Sequence, residues 1–128
     1  MSNVADFIVE NGTLIKYTGS DEHVVIPEGI ICIGRIAFWN NRTLRSVSLP
    51  NSLERIEDSA FANTYLEDVR FGASLNYIGE SCFNRCNQLK EIAIPEGVEV
   101  IEPACFKWCM NLETVFLPES LIRLGGGA

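Results

Sequence analysis

Histidine occurs once, at His23, and ten basic residues face seventeen acidic ones for a net charge of -7. The ten are scattered along the chain. A nucleic-acid grip or an anionic-membrane surface needs clustered Lys and Arg, so neither is an expected partner. No apolar run approaches the roughly 18 residues that span a membrane, so membrane insertion is not expected. The start, Met-Ser-Asn-Val-Ala-Asp, lacks the basic and apolar stretches of a signal peptide. That leaves two readings: a cytosolic protein, or one whose targeting segment lies outside this sequence. No acid–base pair, metal cluster or phosphate loop stands apart from the repeating positions described next, so no enzyme, metal or cofactor is expected. A lone histidine with no carboxylate or nucleophile held beside it reads as a surface residue. The acids are dispersed, as on a solvated surface.

What the chain does have is a repeated phrase. Strand-like cores begin at Val24, Val47, Val69, Ile92 and Val115, in steps of 23, 22, 23 and 23 residues. A period in the 20s marks a solenoid, in which each unit buries its apolar face only against its neighbours. Two residues on, Ile26, Leu49, Phe71, Ile94 and Leu117 share the inward face by alternation. Proline ends the strand at Pro27, Pro50, Pro95 and Pro118, while repeat three has Gly72. Apolar columns follow at Ile30, Leu53, Leu75, Val98 and Leu121, then at Ile33, Ile56, Ile78, Ile101 and Leu124. A small residue then precedes a ring: Ala37-Phe38, Ala60-Phe61, Cys82-Phe83 and Cys105-Phe106. The last column is Leu44, Leu66, Leu89 and Leu112, with one residue fewer between Phe61 and Leu66 than in the other units.

Residues 1–23 stand outside the pattern. Asn11-Gly12 separates two apolar-rich runs, which is a hairpin signal because a type I′ turn needs positive φ at both central residues. The expected organisation is a capping β-hairpin over 1–23, then about four and a half repeats over 24–128. The fifth repeat stops just before its phenylalanine, after Gly125-Gly126-Gly127-Ala128. Its strand would expose an apolar edge. The expectation is either a cut from a longer array or self-association through this end.

The segments Leu44-x-x-Val47-x-Leu49, Leu66-x-x-Val69-x-Phe71, Leu89-x-x-Ile92-x-Ile94 and Leu112-x-x-Val115-x-Leu117 fit the L-x-x-L-x-L core of leucine-rich repeats. The Asn or Cys of the common subtype is replaced by Ser52, Ser74, Gly97 and Ser120. Ile-Pro-Glu-Gly-Ile at 26–30, Ile-Pro-Glu-Gly-Val at 94–98 and Ile78-Gly79-Glu80-Ser81-Cys82-Phe83-Asn84-Arg85-Cys86 resemble the BspA-like leucine-rich repeats of bacterial and protist surface proteins. The resemblance implies an α/β repeat fold: a right-handed, β-rich solenoid with a parallel sheet on one side and short helical turns on the convex side. It also implies a non-catalytic protein-binding or adhesive module at a cell surface or secreted. The alternative is a structural fragment of a longer array with no binding role of its own.

Five cysteines occupy repeat positions, four of them as Cys82-x-x-x-Cys86 and Cys105-x-x-x-Cys109. A four-thiolate zinc site and a disulfide between stacked cysteines are alternatives, but the columnar placement favours buried free thiols. The odd count fits a reducing compartment, against the surface role that the resemblance implies. Trp39 and Trp108 fall in the outer turns, either packed along the convex side or exposed as partner anchors. Asn11-Gly12-Thr13 and Asn41-Arg42-Thr43 match the N-glycosylation pattern. The candidate binding face consists of the strand residues that point outward by alternation: His23 and Val25, Ser46 and Ser48, Asp68 and Arg70, Glu91 and Ala93, Thr114 and Phe116. Their chemistry changes at each repeat, which suits recognition of a protein partner.

Overall fold

Asn11 and Gly12 both take positive φ, 52° and 80°, and join β1 (Phe7–Glu10) to β2 (Thr13–Tyr17) as an antiparallel pair. The computed structural model describes residues 4–128, so the first three residues of the expected capping segment lie outside it. A single 3₁₀ turn, Val4–Asp6, precedes the hairpin. β2 belongs to the solenoid as well as to the hairpin, because it pairs in parallel with the next coil, Leu14 beside Ile33.

Each coil then contributes two short strands. The two-residue strands β4 (Cys32–Ile33), β6 (Arg55–Ile56), β8 (Tyr77–Ile78), β10 (Val100–Ile101) and β12 (Arg123–Leu124) continue the parallel ladder from β2. The three-residue strands β3 (His23–Val25), β5 (Ser46–Ser48), β7 (Asp68–Arg70), β9 (Glu91–Ala93) and β11 (Thr114–Phe116) form the candidate face. Their ladder comes in two pieces, β3-β5-β7 and β9-β11.

The third side of the coil corrects one expectation. No helical turns form there, and among the described residues the only helix is the 3₁₀ turn before the hairpin. The fold is a β-solenoid of about five turns rather than an α/β repeat. The reason lies in where the amides go. Ala37, Trp39 and Asn41 donate within their own coil, to Gly34, Ile36 and Phe38. Ile36, Phe38 and Asn40 donate instead to Asp58, Ala60 and Ala62 of the next coil. A helix would spend every amide inside its own segment. Alternating the direction requires left-handed residues, and Ile36 (φ 56°), Ser59 (56°), Ser81 (56°) and Ala104 (60°) supply one column of them. Asn40, Asn63, Arg85 and Trp108 supply a second, at 58–63°. Such residues cost of order 1–3 kcal/mol each. Bonds between coils and the aromatic packing beneath hold them in place.

That packing is a continuous stack. Phe38, Phe61 and Phe83 are fully buried and Phe106 nearly so. Their centroids lie 4.9, 5.6 and 5.6 Å apart, with interplanar angles of 15°, 6° and 3°. Tyr17 of β2 extends the stack at 5.2 Å from Phe38, and Phe7 of β1 caps Tyr17 at 5.3 Å. The columns at Ile33, Ile56, Ile78 and Ile101, and at Leu44, Leu66 and Leu89, are buried completely. All five cysteines are free thiols. Among the described residues no group of three or more His, Cys, Asp and Glu is arranged to hold a metal ion, and no helix is long and apolar enough to cross a membrane.

Candidate functional site

The face formed by β3, β5, β7, β9 and β11 carries the ten candidate residues. His23, Val25, Asp68, Arg70, Glu91, Ala93, Thr114 and Phe116 are exposed, and Ser46 and Ser48 are half-buried. Parallel register aligns them in rows: His23, Ser46 and Asp68, then Val25, Ser48 and Arg70. Beyond the break, Glu91 aligns with Thr114 and Ala93 with Phe116. The His23 ring is hydrogen-bonded to the Ser46 hydroxyl at 2.7 Å. Two large apolar side chains stand in solvent on the outermost strands, at the same end of each, Val25 (63% exposed) and Phe116 (56%). The structure therefore brings the candidate residues onto one surface but splits them into two groups.

A row just before the strands adds charge that the strand alternation does not reveal. Arg45 bridges Glu22 at 2.8 Å and Glu67 at 2.6 Å, tying three successive coils together. Its backbone is part of the ladder too, since Arg45 donates to Glu22 and accepts from Glu67. The repeating 22–23-residue spacing of Glu22, Arg45, Glu67 and Lys90 was the available signal.

The break between β7 and β9 follows from departures concentrated around repeat three. At the position after the strand-ending proline, Glu28 accepts the amide of Asn51 at 2.8 Å. Asn51 accepts the amide of Ala73 at 3.1 Å, and Glu96 accepts that of Glu119 at 3.0 Å. Ala73 has no side-chain acceptor, so this chain of clamps stops between coils three and four. Gly72 replaces proline one residue earlier. A Cβ there would collide with the Pro50 carbonyl, so the exit of repeat three lies hard against repeat two. The entry to β7 is also one residue shorter than its counterparts. Finally, Asp68 and Glu91, the first residues of β7 and β9, both line the break. Like charges at facing strand positions are destabilising. At the other junctions Ile26, Leu49 and Ile94 donate to the next coil at Ser48, Arg70 and Phe116. Among the described residues no such bond leaves Phe71.

The result is a cavity of about 180 Å³ lined by Asp68, Val69, Glu91, Ile92, Ala93 and Phe116. It adjoins one of about 410 Å³ lined by Glu67, Asp68, Gln88, Lys90 and Glu91. Val69 and Phe71 are only half-buried, unlike Val47 and Leu49 in the preceding coil.

Cys82, Cys86 and Cys105 belong to the core and not to this face, and Cys32 and Cys109 are half-buried. Cys86 Sγ donates to the Phe61 carbonyl at 3.2 Å and Cys109 Sγ to that of Phe83 at 3.0 Å. Thr64 meets the Phe61 carbonyl at 3.0 Å from within its own coil. These side chains satisfy buried carbonyls. Burial pushes the Cys86 thiol up to about 12 and raises Cys82 and Cys105 as well. Cys32 is pushed up to about 11, first by burial and then by the neighbouring Glu57. Thiols held in the neutral form are poor nucleophiles. Trp39 and Trp108 stand half in solvent on the turn side, at 49% and 52% exposure, and Arg85 lies 5.8 Å from the Trp108 ring.

A family model described as the BspA type leucine rich repeat region matches six copies across residues 13–128. The chain belongs to this family. The match begins at the first residue of β2, which agrees with the pairing of that strand into the first coil. Among solved structures, this BspA-type chain is similar to a leucine-rich repeat protein from Bacteroides capillosus at 31% identity and a TM-score of 0.77, covering 91% of this chain and 96% of that one. It is also similar to the pneumococcal vaccine antigen PcpA at 24% identity and a TM-score of 0.84. It covers 94% of this chain but only 32% of PcpA. The T. pallidum leucine-rich repeat protein TpLRR matches at 21% identity and a TM-score of 0.65, over 97% of this chain and 85% of that one. The last two speak for the fold alone. No curated protein matches the chain.

Proposed function

We propose that this chain is a non-catalytic protein-binding module whose partner docks on the face of β3, β5, β7, β9 and β11. The observation that carries the reading is the outward row itself. It is held on two short parallel ladders, yet its chemistry changes at each coil from histidine and valine through serine to paired charges and an exposed phenylalanine. A pure scaffold has no need for that variety. An exposed ring with polar and charged neighbours is the usual make-up of a docking patch. Burial of Cys82, Cys86 and Cys105 is compatible with an extracellular setting, because protonated, enclosed cysteines resist oxidation.

The test is a selection of binders from a random peptide display library, followed by competition with the triple variant Asp68→Ala, Arg70→Ala, Phe116→Ala. Most binders should lose affinity tenfold or more on the variant. Binders that hold the variant as tightly as the parent chain place the docking surface elsewhere.

A second reading, contact with further coils or a second copy through the C-terminal end, is favoured by one observation. Phe106, Cys109, Leu112, Val115, Leu117, Leu124 and Ala128 line an apolar cavity of about 310 Å³ there. Leu117 and Leu124 are half exposed.

A further inference from the structure

We propose that the turn side of the solenoid carries a second binding site, for an acidic oligosaccharide. It stands apart from the strand face and does not depend on the reading of that face as a protein-docking surface.

A cavity of about 290 Å³ opens on this side, with the Trp39 ring as one wall and Ser59, Asn63, Ser81, Asn84 and Arg85 as its polar lining. The sequence makes the room. Repeat spacing sets Ala62 of the next coil at the position of Trp39, and a single methyl group leaves the flank of the indole uncovered. The polar groups around the ring have capacity to spare. The side chains of Ser59, Ser81 and Asn84 make no hydrogen bond among the described residues. Asn63 donates to Asn40 at 2.7 Å, which fixes its amide and leaves its carbonyl oxygen and second N–H for a ligand. An apolar wall with a few convergent polar groups is the make-up of a small-molecule site.

Electrostatics give the sign of the ligand. The chain has a net charge of -7, yet the cavity lining holds Arg85 and no carboxylate. Lys107 follows in the next coil, and both cations lie 5.8 Å from the centre of the Trp108 ring. Neither forms an ion pair among the described residues. Two cations without acidic partners beside a half-exposed indole attract an anion, and a guanidinium takes a carboxylate through two parallel bonds.

The backbone favours a sugar over an acidic peptide. The amides of Trp39, Ser59, Asn63, Ser81, Asn84 and Arg85 are all bonded already, within their own coil or to the next, so an extended peptide finds no main-chain donors. Sugar hydroxyls both donate and accept, which suits Asn amides and Ser hydroxyls. The polarised C–H groups on one face of a pyranose are attracted to the negative face of an indole. The aromatic stack beneath spaces the coils at 4.9 to 5.6 Å, close to the length of one 1,4-linked pyranose unit. A short chain of such units laid along the solenoid axis meets Trp39, then Asn84, then the cations beside Trp108.

The experiment is calorimetric titration of the full chain with tetramers of 1,4-linked galacturonate and of 1,4-linked mannuronate. The methyl ester of each tetramer and a capped tetraglutamate serve as comparisons. At least one acidic tetramer should bind saturably and quench the tryptophan fluorescence. It should bind at least tenfold more tightly than its methyl ester and than tetraglutamate. Trp39→Ala and Arg85→Asn should each weaken that binding tenfold or more with an unchanged circular dichroism spectrum. Asparagine tolerates the left-handed backbone at position 85, where φ is 62°. The strand-face variant Asp68→Ala, Arg70→Ala, Phe116→Ala should bind the tetramer as the parent chain does. Absence of binding by both acidic tetramers, equal binding of the ester or of tetraglutamate, or unchanged affinity in either single variant overturns the site. Binding lost on the strand-face variant overturns it too.

Discussion

Single residues divide into those that fill the coil and those that link one coil to the next. Phe83 stacks at 5.6 Å on both Phe61 and Phe106 and has no solvent exposure. Its truncation to alanine removes a whole ring and two stacking contacts, so Phe83→Ala should cost roughly 3–5 kcal/mol, read as a shift in the denaturant midpoint. The thiols make a pH prediction of definite sign. A folded-state pKa of about 12 for Cys86 against an ordinary thiol value of 9.0 means that the folded chain holds its proton where the unfolded chain has lost it. The stabilisation is complete below pH 9 and is lost as pH rises from 9 toward 12. Unfolding midpoints should be flat against this group from pH 7 to 9 and fall above it. Cys86→Thr should shallow that fall, since threonine keeps a donor for the Phe61 carbonyl and does not titrate. The same burial predicts that Cys82, Cys86 and Cys105 stay unlabelled by maleimide in the native chain and label fully in denaturant.

At the scale of elements, each junction is set by a few polar side chains. Ser52 donates to the Ile30 carbonyl at 2.7 Å and receives the Gly29 amide at 3.0 Å. Ser120 repeats the arrangement with Val98 and Gly97. Serine at these two junctions thus ties one coil to the next through both a donated and an accepted bond. Ala73 is where the neighbouring column of clamps fails, and Ala73→Asn should restore an acceptor for the Glu96 amide. The expected gain is about 1 kcal/mol, with slower hydrogen exchange at Glu96. Unchanged exchange there would mean that the break does not depend on this clamp. The buried columns were legible in the sequence, because each inward position is apolar in almost every repeat and strand alternation fixes its direction. Tyr17 was not, because it reaches the aromatic stack from a hairpin, with a spacing to Phe38 unlike that between the phenylalanines. The helical turns expected on the convex side do not form, and hydrogen bonds to an adjacent coil leave no mark in the order of residues within one coil. Gly72 and the missing residue after Phe61 were visible as oddities. Their joint consequence, a ladder opened between β7 and β9, depends on which neighbour each strand is drawn toward, and only the assembled coils reveal that.

The described residues form one stack of coils with two different ends. The hairpin closes the first, where Phe7 covers Tyr17. The other presents Leu117, Leu124 and the flank of Phe106 around an apolar hollow, next to the open edges of β11 and β12. Edges of this kind template association. The apparent mass of this chain in light scattering should therefore rise with concentration, and Leu117→Lys with Leu124→Lys should hold it at the monomer value. The central claim, that the strand face is the docking surface, is tested most directly by hydrogen exchange of the chain with and without a tightly bound display-selected partner. Protection is predicted at residues 23–25, 46–48, 68–71, 91–93 and 114–116. Protection confined to the turns around Phe38, Phe61, Phe83 and Phe106, with the strand face exchanging as in the free chain, would contradict the claim.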